Sequence, residues 1–299
     1  EAAVAGGIPV IKTLREALAG NKINRVSGIL NGTCNFILSQ MESDGVSFEA
    51  ALKDAQTRGF AEAEPDLDIS GMDAAQKLAL LAGLAFGVRP DVSQISVTGI
   101  EAITDQDISF ADEFDSVIRL IAIAGESEDG LVQCVAPMLV SRGHALAQVK
   151  NELNAVAIEA CPVGQLFLQG PGAGGGATAS AVLSDIADLA QGCGRPVFGA
   201  DALNMQAAQV VDLPPQAWYL RLALADEPGS MASATQVLAQ SGVSIEEVVQ
   251  RSRNAGDTYL PVVFITHKVD AAHLRAALSS LARQDTISNP VLALPVFEA

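Results

Sequence analysis

Hydrophobic and polar positions along residues 1–215 follow two alternating patterns. Short apolar runs bounded by glycine or polar residues indicate strands, whereas apolar positions three and four apart over ten or more residues indicate helices. We therefore expect strands at 25–30, 95–97, 117–124, 131–139, 155–160 and 164–169. Helices are expected at 33–43, 47–58, 71–86 and 178–191. This part of the chain predicts a mixed-sheet domain of the α/β (α+β) class.

A turn-rich segment at Pro214 and Pro215 separates this part from the C-terminal residues. Two adjacent prolines remove two backbone donors and stiffen the chain, so we place the domain boundary there, giving domains at 1–215 and 216–299. Beyond it, strands are expected at 218–225, 243–251, 258–267 and 287–296, with helices at 230–240 and 271–283. The order βαββαβ predicts a ferredoxin-like sandwich.

Composition and charge exclude several classes of partner. The chain has 18 Lys and Arg against 35 Asp and Glu, a net charge of −17, and only 4% aromatic residues. Such a chain lacks the basic surface that neutralises phosphates, so neither nucleic acid nor an anionic membrane is an expected partner. Its longest apolar run, between Lys77 and Arg89, has 11 residues, well short of the roughly 20 that span a bilayer.

The cysteines, the histidines and the first residues narrow the class of protein further. Four cysteines without a Cys-x-x-Cys pair are typical of reduced thiols in a cytoplasmic protein. The chain has three histidines, so few histidine side chains are available to form a zinc centre or a histidine-based triad. The chain begins at Glu1 without an initiator Met or the pattern of a signal peptide, so we expect a mature or cut fragment.

The densest polar cluster lies between Arg58 and Lys77. Four carboxylates occur within seven residues, at Glu62, Glu64, Asp66 and Asp68. Neighbouring carboxylates repel one another unless they are solvated or hold a cationic group. The loop therefore suits an ammonium ligand, and a solvated acidic loop without a ligand is the alternative.

Asp73 and Lys77 lie four residues apart on one face of the predicted helix 71–86. An exposed pair of this kind contributes only about 0.2–0.5 kcal/mol, and Ser70 with Asp73 also matches a capping box. The rest of this helix is apolar on nearly all sides, which predicts burial. Because a Lys on a buried helix needs a partner, Asp73 and Lys77 are candidates for proton transfer, with a structural pair as the alternative.

Three turns between a strand and a helix are candidates for ligand binding. Residues 170–176 contain five glycines, and the helix that follows offers unpaired N–H groups to an anion. The glycine spacing does not match a dinucleotide fingerprint, and a flexible connector is the alternative. Gly32 and Thr33 repeat the form on a smaller scale, with an N-cap at Thr33 as the alternative. Residues 226–229 also suit a tight turn.

These segments together resemble the homoserine dehydrogenase family without its N-terminal nucleotide-binding domain and with a C-terminal ACT domain. The most specific stretch runs from Ala55 to Lys77, and segments 28–33, 170–174 and 1–4 support it. The resemblance covers nearly the whole chain. It implies an oxidoreductase that interconverts L-aspartate 4-semialdehyde and L-homoserine with NAD(P), by hydride transfer, in threonine, methionine and isoleucine biosynthesis.

The resemblance also implies roles for particular residues. Glu62 is expected to hold the α-ammonium of the substrate, and Asp73 and Lys77 to bind its reacting end. Lys77 is the implied proton donor to the developing alkoxide, with support from Asp68. Further substrate contacts are implied at Gly32, Thr33 and Phe60, the last standing where many relatives carry Tyr. Cofactor contacts are implied at Gly172, Ala173, Gly174 and Thr178.

The same resemblance implies two further binding sites and an oligomeric state. A sodium ion is expected on mainly backbone oxygens of Glu1, Val4, Gly6 and Ile8. An amino-acid effector, with threonine as the natural proposal, is expected at Asp226, Gly229 and Ser230. The assembly is expected to be a homodimer or homotetramer.

A catalytic Lys and the phosphate loop of the family lie upstream of Glu1, so residues 1–299 alone are expected not to turn over. The alternative from another class is a non-enzymatic amino-acid sensor, in which the ACT domain binds an effector and the first domain only dimerises.

Overall fold

A computed structural model describes residues 1–193, 197–198, 205–251 and 258–298. The chain divides into two compact units, Glu1–Val211 and Asp212–Ala299. The predicted boundary at residue 215 lies just beyond this division, inside the second unit. Within the described ranges no helix is long and apolar enough to cross a membrane.

The first unit combines helices with the strands of a single sheet. Its helices are α1 (Val10–Lys12), α2 (Gly32–Asp44), α3 (Phe48–Thr57), α4 (Asp66–Ile69), α5 (Met72–Phe86), α6 (Asp105–Glu113) and α7 (Gly175–Ala190). Its strands are β1 (Lys22–Ile29), β2 (Ser96–Val97), β3 (Ser116–Ser127), β4 (Gly130–Ser141), β5 (Leu153–Cys161), β6 (Gly164–Pro171) and β7 (Val210–Val211). A π-helical turn at Thr13–Ala17 continues α1.

These strands form one mixed sheet in the order β2-β4-β3-β1-β5-β6, and β7 also pairs with β4. The pairs of β4 with β2 and β7 are parallel, whereas the other pairs are antiparallel. Helices α2 and α5 pack against the central strands β1 and β3 or their neighbours. Nearly all of β3 and β4 is buried. The fold-class prediction is confirmed. Strand β1 runs through the middle of the sheet and ends just before the N-terminus of α2.

The second unit has the predicted βαββαβ order. Its elements are β8 (Trp218–Ala225), α8 (Ser230–Gln240), β9 (Ile245–Gln250), β10 (Tyr259–Thr266), α9 (Ala271–Leu281) and β11 (Ile287–Pro295). The strands form an antiparallel sheet in the order β11-β8-β10-β9. Leu222 of β8 and Phe264 of β10 are buried in its core, as inward-facing side chains of a one-sided sheet should be, and Leu238 of α8 is buried in the same core.

Three helices account for the main departures from the predicted elements. Helix α4 has only four residues, which is too short for a helical periodicity to be recognised in the sequence. Helix α6 begins with a capping box at Thr104 and Asp107, a signal that the apolar pattern alone did not reveal. Helix α7 begins at Gly175, before the predicted start at 178, because the glycine run itself enters the helix.

Candidate functional site

Helix α5 aims a carboxylate and an ammonium at the end of β1. The Lys77 ammonium donates to Asp73 Oδ2 at 2.7 Å and to the backbone oxygen of Leu30 at 3.1 Å. Lys77 and Asp73 are both about one-fifth exposed. The pair therefore stands at the wall of a cleft, with its partners fixed by the protein and one ammonium hydrogen left for another acceptor.

Asn31 joins this pair to a second carboxylate. Its Nδ2 donates to Asp68 Oδ1 and to Asp73 Oδ2, each at 2.8 Å. Its Oδ1 accepts from the backbone N–H of Cys34 at 2.8 Å and caps α2. Because both hydrogens and the oxygen of the amide are used, Asn31 holds the two carboxylates at a fixed spacing. Asp68 thus reaches Lys77 through Asn31 and Asp73.

Two alternative interpretations from the sequence, a Ser70–Asp73 capping box and an N-cap at Thr33, are wrong. Helix α5 has Gly71 as its N-cap without a side-chain bond, and Ser70 ends α4 instead. The Asp73 carboxylate is directed to Asn31 and Lys77, because the left-handed Gly71 turns the chain sharply between α4 and α5. Thr33 likewise is not an N-cap. It lies in the first turn of α2 and donates to the backbone oxygen of Phe60 at 2.7 Å.

Burial and like charge act on the ionisable groups of the site. Burial raises the pKa of Asp68 above its ordinary value, and the nearby Asp73 carboxylate adds to this rise. Burial, with Asp68 nearby, raises the pKa of the Cys34 thiol well above its usual range. The Cys34 Sγ donates to the backbone oxygen of Asp68 at 3.2 Å. The site is therefore short of positive charge, and the thiol is a structural donor, not a nucleophile.

A cleft of about 570 Å³ opens in front of these groups. Its acidic lining residues are Glu62, Glu64, Asp68, Asp73 and Glu152. Its basic lining residues are Arg58 and Lys77. The sequence loop 62–68, the α5 pair and the glycine segments at 32 and 173–174 thus meet at one cavity. The excess of carboxylates makes the cleft a favourable place for a cation.

The aromatic side of the cleft is built by Phe60. Its ring packs on Phe36 with centroids 4.9 Å apart, and the Arg58 guanidinium lies 5.4 Å from the centroid of the Phe36 ring. Phe60 and Thr33 both line the cleft. The predicted substrate residues Gly32, Thr33, Phe60 and Glu62 therefore lie together, although their contacts to a substrate stay a prediction.

The glycine segment after β6 contributes to the lining of the cleft. Ala173 and Gly174 line it. Gly172 lies behind them, where a Cβ atom would come within 2.2 Å of the Asn154 side chain. Gly174 has a φ of 100°, a conformation that favours glycine. Thr178 is exposed on the first turns of α7 and is not one of the cleft residues in the described ranges.

The N-terminal segment is tied to α7 and to the start of α1. The terminal ammonium of Glu1 lies 3.0 Å from Asp185, and the Glu1 carboxylate accepts from the backbone N–H of Ile11 at 3.1 Å. The backbone oxygens of Glu1 and Ile8 accept amide hydrogens from Val4 and Val10. The sodium ion expected on the oxygens of Glu1, Val4, Gly6 and Ile8 stays a prediction.

The expected effector residues lie in the second unit, at the turn from β8 to α8. Gly229 is the N-cap of α8 with a φ of 100°, and the Ser230 N–H donates to the backbone oxygen of Glu227 at 3.3 Å. The Asp226 N–H donates to the backbone oxygen of Thr258 at 3.4 Å. The Ser230 side chain is buried. The tight turn that was the alternative is present, and it leaves an effector role open.

Several site residues lay outside the sequence-based prediction. Glu152 lines the cleft, and Asn31 and Asn154 hold its walls. Arg58 and Glu64 also line it, and both belong to the polar cluster that the sequence analysis singled out. Asn31 stood next to two predicted residues and was within reach of the sequence pattern. Asn154 lies far from the other residues in sequence, so no local spacing could reveal it.

Comparisons with known proteins agree with this geometry. The sequence model described as homoserine dehydrogenase matches residues 9–187, and that of the ACT domain matches residues 218–285. The homoserine dehydrogenase of Pseudomonas aeruginosa is 36% identical over 304 residues, covering 99% of this chain and 70% of that protein.

Two solved structures extend the comparison. The crystal structure of a homoserine dehydrogenase from Thiobacillus denitrificans has a TM-score of 0.90 and 36% identity, covering 100% of this chain and 69% of that chain. A hyperthermophilic archaeal homoserine dehydrogenase in complex with NADPH has a TM-score of 0.55 and 31% identity. It covers 64% of this chain and 55% of that chain.

Proposed function

Because the chain belongs to the homoserine dehydrogenase family, an oxidoreductase family of amino-acid biosynthesis, we propose that the cleft in front of Asp73 and Lys77 interconverts L-homoserine and L-aspartate 4-semialdehyde. The observation that carries the proposal is the Lys77 ammonium. It is held by Asp73 and Leu30 at the wall of an acidic cleft. Oxidation moves a hydride from C4 of homoserine to the cofactor and releases a proton from its hydroxyl.

The acidic loop supplies the contact for the substrate ammonium. We assign this contact to Glu62, which is exposed at the cleft and whose backbone oxygen is held by Gln56 at 3.1 Å. The raised pKa of Asp68 supports the assignment, because burial and Asp73 make this region unfavourable for further negative charge. A bound ammonium relieves that condition. An amino-acid substrate therefore gains affinity here that a substrate without an ammonium does not.

Lys77 acts at the other end of the substrate. Two of its ammonium hydrogens are donated to Asp73 and Leu30, and the third is available to the C4 oxygen. In the reducing direction Lys77 donates this hydrogen to the developing alkoxide as hydride reaches C4. Asp73, itself held by Asn31, keeps the ammonium in position, as a general acid requires.

The chain fits one face of a nicotinamide cofactor, which supplies or accepts the hydride when bound. Ala173 and Gly174 line the cleft, and a Cβ atom on the neighbouring Gly172 would meet the Asn154 side chain. We assign these residues to the closing face. Thr178 is assigned to the same cofactor at the exposed start of α7. Preference for NAD or NADP is not assigned to any residue.

The role of Lys77 is tested by Lys77→Ala in the full-length protein. Lys53→Ala is the matched control, because Lys53 is exposed on α3 and does not line the cleft. We expect Lys77→Ala to lower kcat about 10²–10⁴-fold, with its folded state kept, and Lys53→Ala to leave kcat unchanged. Homoserine-dependent NAD(P) reduction and circular dichroism measure both. A Lys77→Ala protein with wild-type kcat rules out the proposal.

The ACT domain supports a regulatory proposal. ACT domains bind amino acids, and residues 218–285 match the family. We assign an amino-acid effector, with threonine as the first candidate, to the turn formed by Asp226, Gly229 and Ser230. The buried Ser230 Oγ has no hydrogen-bond partner among the described residues. A hydroxyl of that kind supports a nearby ligand contact.

A further inference from the structure

Asn154 lies at the point where three strands end beside the cleft. It is the second residue of β5, which runs between β1 and β6, and it pairs with Gly170 of β6. Its side chain is 1% exposed, so it lies beneath the cleft and does not line it. The resemblance and the sequence pattern give it no role. Its contacts nevertheless reach the Leu30 carbonyl and the Gly172 backbone, two parts of the site.

The first contact is with the acceptor of the Lys77 ammonium. Asn154 Nδ2 donates to the backbone oxygen of Leu30 at 3.0 Å, and the same oxygen accepts from Lys77 Nζ at 3.1 Å. A carbonyl oxygen has two lone pairs and accommodates both donors. Because Leu30 follows the last residue of β1, Asn154 fixes the direction in which this carbonyl faces Lys77.

The second contact is with the glycine segment after β6. A Cβ atom on Gly172 would lie 2.2–2.3 Å from Cγ, Nδ2 and Oδ1 of Asn154. The Gly172 backbone therefore lies directly against the flat side-chain amide. Gly172 is also in contact with Gly6, where a Cβ would come within 2.5 Å of the Gly172 oxygen. The position of Gly172 is thus set by Asn154 on one side and the N-terminal segment on the other.

We propose that Asn154 is a positioning residue that holds the Lys77 proton donor and the Gly172 segment in register beneath the cleft. The proposal rests on the proposed role of Lys77. Asn154 Oδ1 is buried without a hydrogen-bond partner among the described residues, which costs stability. A leucine of similar size avoids that cost, so packing alone does not explain an asparagine at this position.

The test compares Asn154→Leu with Asn35→Leu. Asn35 is equally buried, its Oδ1 also has no partner in the described ranges, and its Nδ2 donates to backbone oxygens of the segment just before Asn154. Those oxygens belong to Val149, Asn151 and Leu153. The control therefore loosens the same segment without removing the bond to Leu30. Asn154→Asp is a second variant, with an oxygen in place of the donor, should Asn154→Leu not fold.

The readout that needs no turnover is the Lys77 ammonium itself. The chain has six lysines, so NMR of protein labelled at lysine Nζ resolves them, and Lys77→Arg assigns the signal. We expect Asn154→Leu and Asn154→Asp to speed hydrogen exchange of the Lys77 ammonium about ten-fold or more, because its acceptor is no longer fixed. Asn35→Leu should change it less than about two-fold.

Kinetics of the full-length protein give the second readout. We expect Asn154→Leu to lower kcat about ten-fold or more while KM for homoserine changes less than about three-fold, since the Glu62 contact is untouched. Unchanged Lys77 exchange in a folded Asn154 variant, or equal acceleration in Asn35→Leu, overturns the proposal. Wild-type kcat in Lys77→Ala overturns the proposed function instead, and the exchange measurement still decides the role of Asn154.

Discussion

At the residue scale, the site depends on a few buried polar groups whose partners are distant in sequence. Asp73 and Lys77 could be predicted, because a four-residue spacing on a helix places both on one face. Asn31 was within reach of the pattern, because it stands between a predicted strand and the predicted residues Gly32 and Thr33. Asn154 could not be assigned, because an amide has no distinctive spacing and its partners depend on strand register. Long-range register is the information that local pattern lacks.

Asp68 gives a prediction for stability against pH. Its pKa in the folded protein is raised above the ordinary value of 3.8, chiefly by burial. The folded protein therefore binds this proton more tightly than the unfolded chain, and stability present below the ordinary pKa is lost as pH rises through the raised pKa. We expect Asp68→Asn to raise the melting temperature at neutral pH by about 2 °C, with less gain near pH 3.5.

Calorimetry at both pH values checks this, with Asp66→Asn as the control because Asp66 is exposed on α4. An Asp68→Asn protein with the same difference in melting temperature at both pH values contradicts the assignment.

A buried ion pair away from the cleft gives a second prediction. Arg119 is fully buried, and its guanidinium donates to Glu42 at 2.6 Å. Burial would raise the pKa of Glu42, but Arg119 and Arg142 outweigh it and lower the pKa. Glu42→Gln leaves a buried charge unpaired, so we expect a loss of about 3–5 kcal/mol in the free energy of unfolding.

Urea denaturation measures that loss. Arg142→Gln is the control, because the Arg142 side chain is 34% exposed, and it should lose at most about 1 kcal/mol. A Glu42→Gln protein that denatures at the same urea concentration as the wild type would show that the Arg119–Glu42 pair does not stabilise the fold.

At the element scale, the accuracy of prediction followed the length of the element. The strand 218–225 and the helix 230–240 match β8 and α8, because turns at both ends bound a clear apolar pattern. Helix α4 was missed, since four residues give no period to read. That short helix is what sets Asp68 against Asn31, so the least predictable element positions a site residue.

The glycine segment before α7 gives an element-scale prediction. Gly172→Ala places a methyl group against Asn154, and we expect it to cost about 1–3 kcal/mol and to raise KM for NAD(P). Gly176→Ala is the matched control, since a Cβ there meets nothing within 4 Å. In a helix it should stabilise by about 0.4–1 kcal/mol. Equal stability and KM in the two variants would show that the segment is a simple connector.

At the scale of the whole molecule, the adjacent prolines at 214 and 215 led us to expect a boundary near residue 215, and the structure divides between Val211 and Asp212. The order of the strands was not predicted. The βαββαβ order predicts a ferredoxin-like sheet, whereas the mixed order of the first sheet includes the parallel pairing of β7 with β4 across much of the chain. Such pairings depend on tertiary packing, for which the sequence offers no local signal.

The proposed effector site gives a prediction at this scale. We expect L-threonine to lower turnover and raise the melting temperature of the full-length protein, because a ligand that binds only the folded state stabilises it. At a concentration of about 100 Kd the gain is about 2.7 kcal/mol. Asp226→Ala should remove both effects, and Glu246→Ala, an exposed change on β9, should keep them. Threonine without effect on either quantity contradicts the assignment of this effector.

The most direct test of the central claim compares two alcohols as substrates of the full-length protein. L-homoserine and 4-hydroxybutanoate share the hydroxymethyl end and the carboxylate, but only homoserine carries the ammonium assigned to the acidic loop of Glu62. We predict NAD(P) reduction with L-homoserine. With 4-hydroxybutanoate we predict a kcat/KM that is lower by a factor of about 10² or more. Equal kcat/KM for the two alcohols, or no reduction with L-homoserine, would contradict the assignment of the cleft.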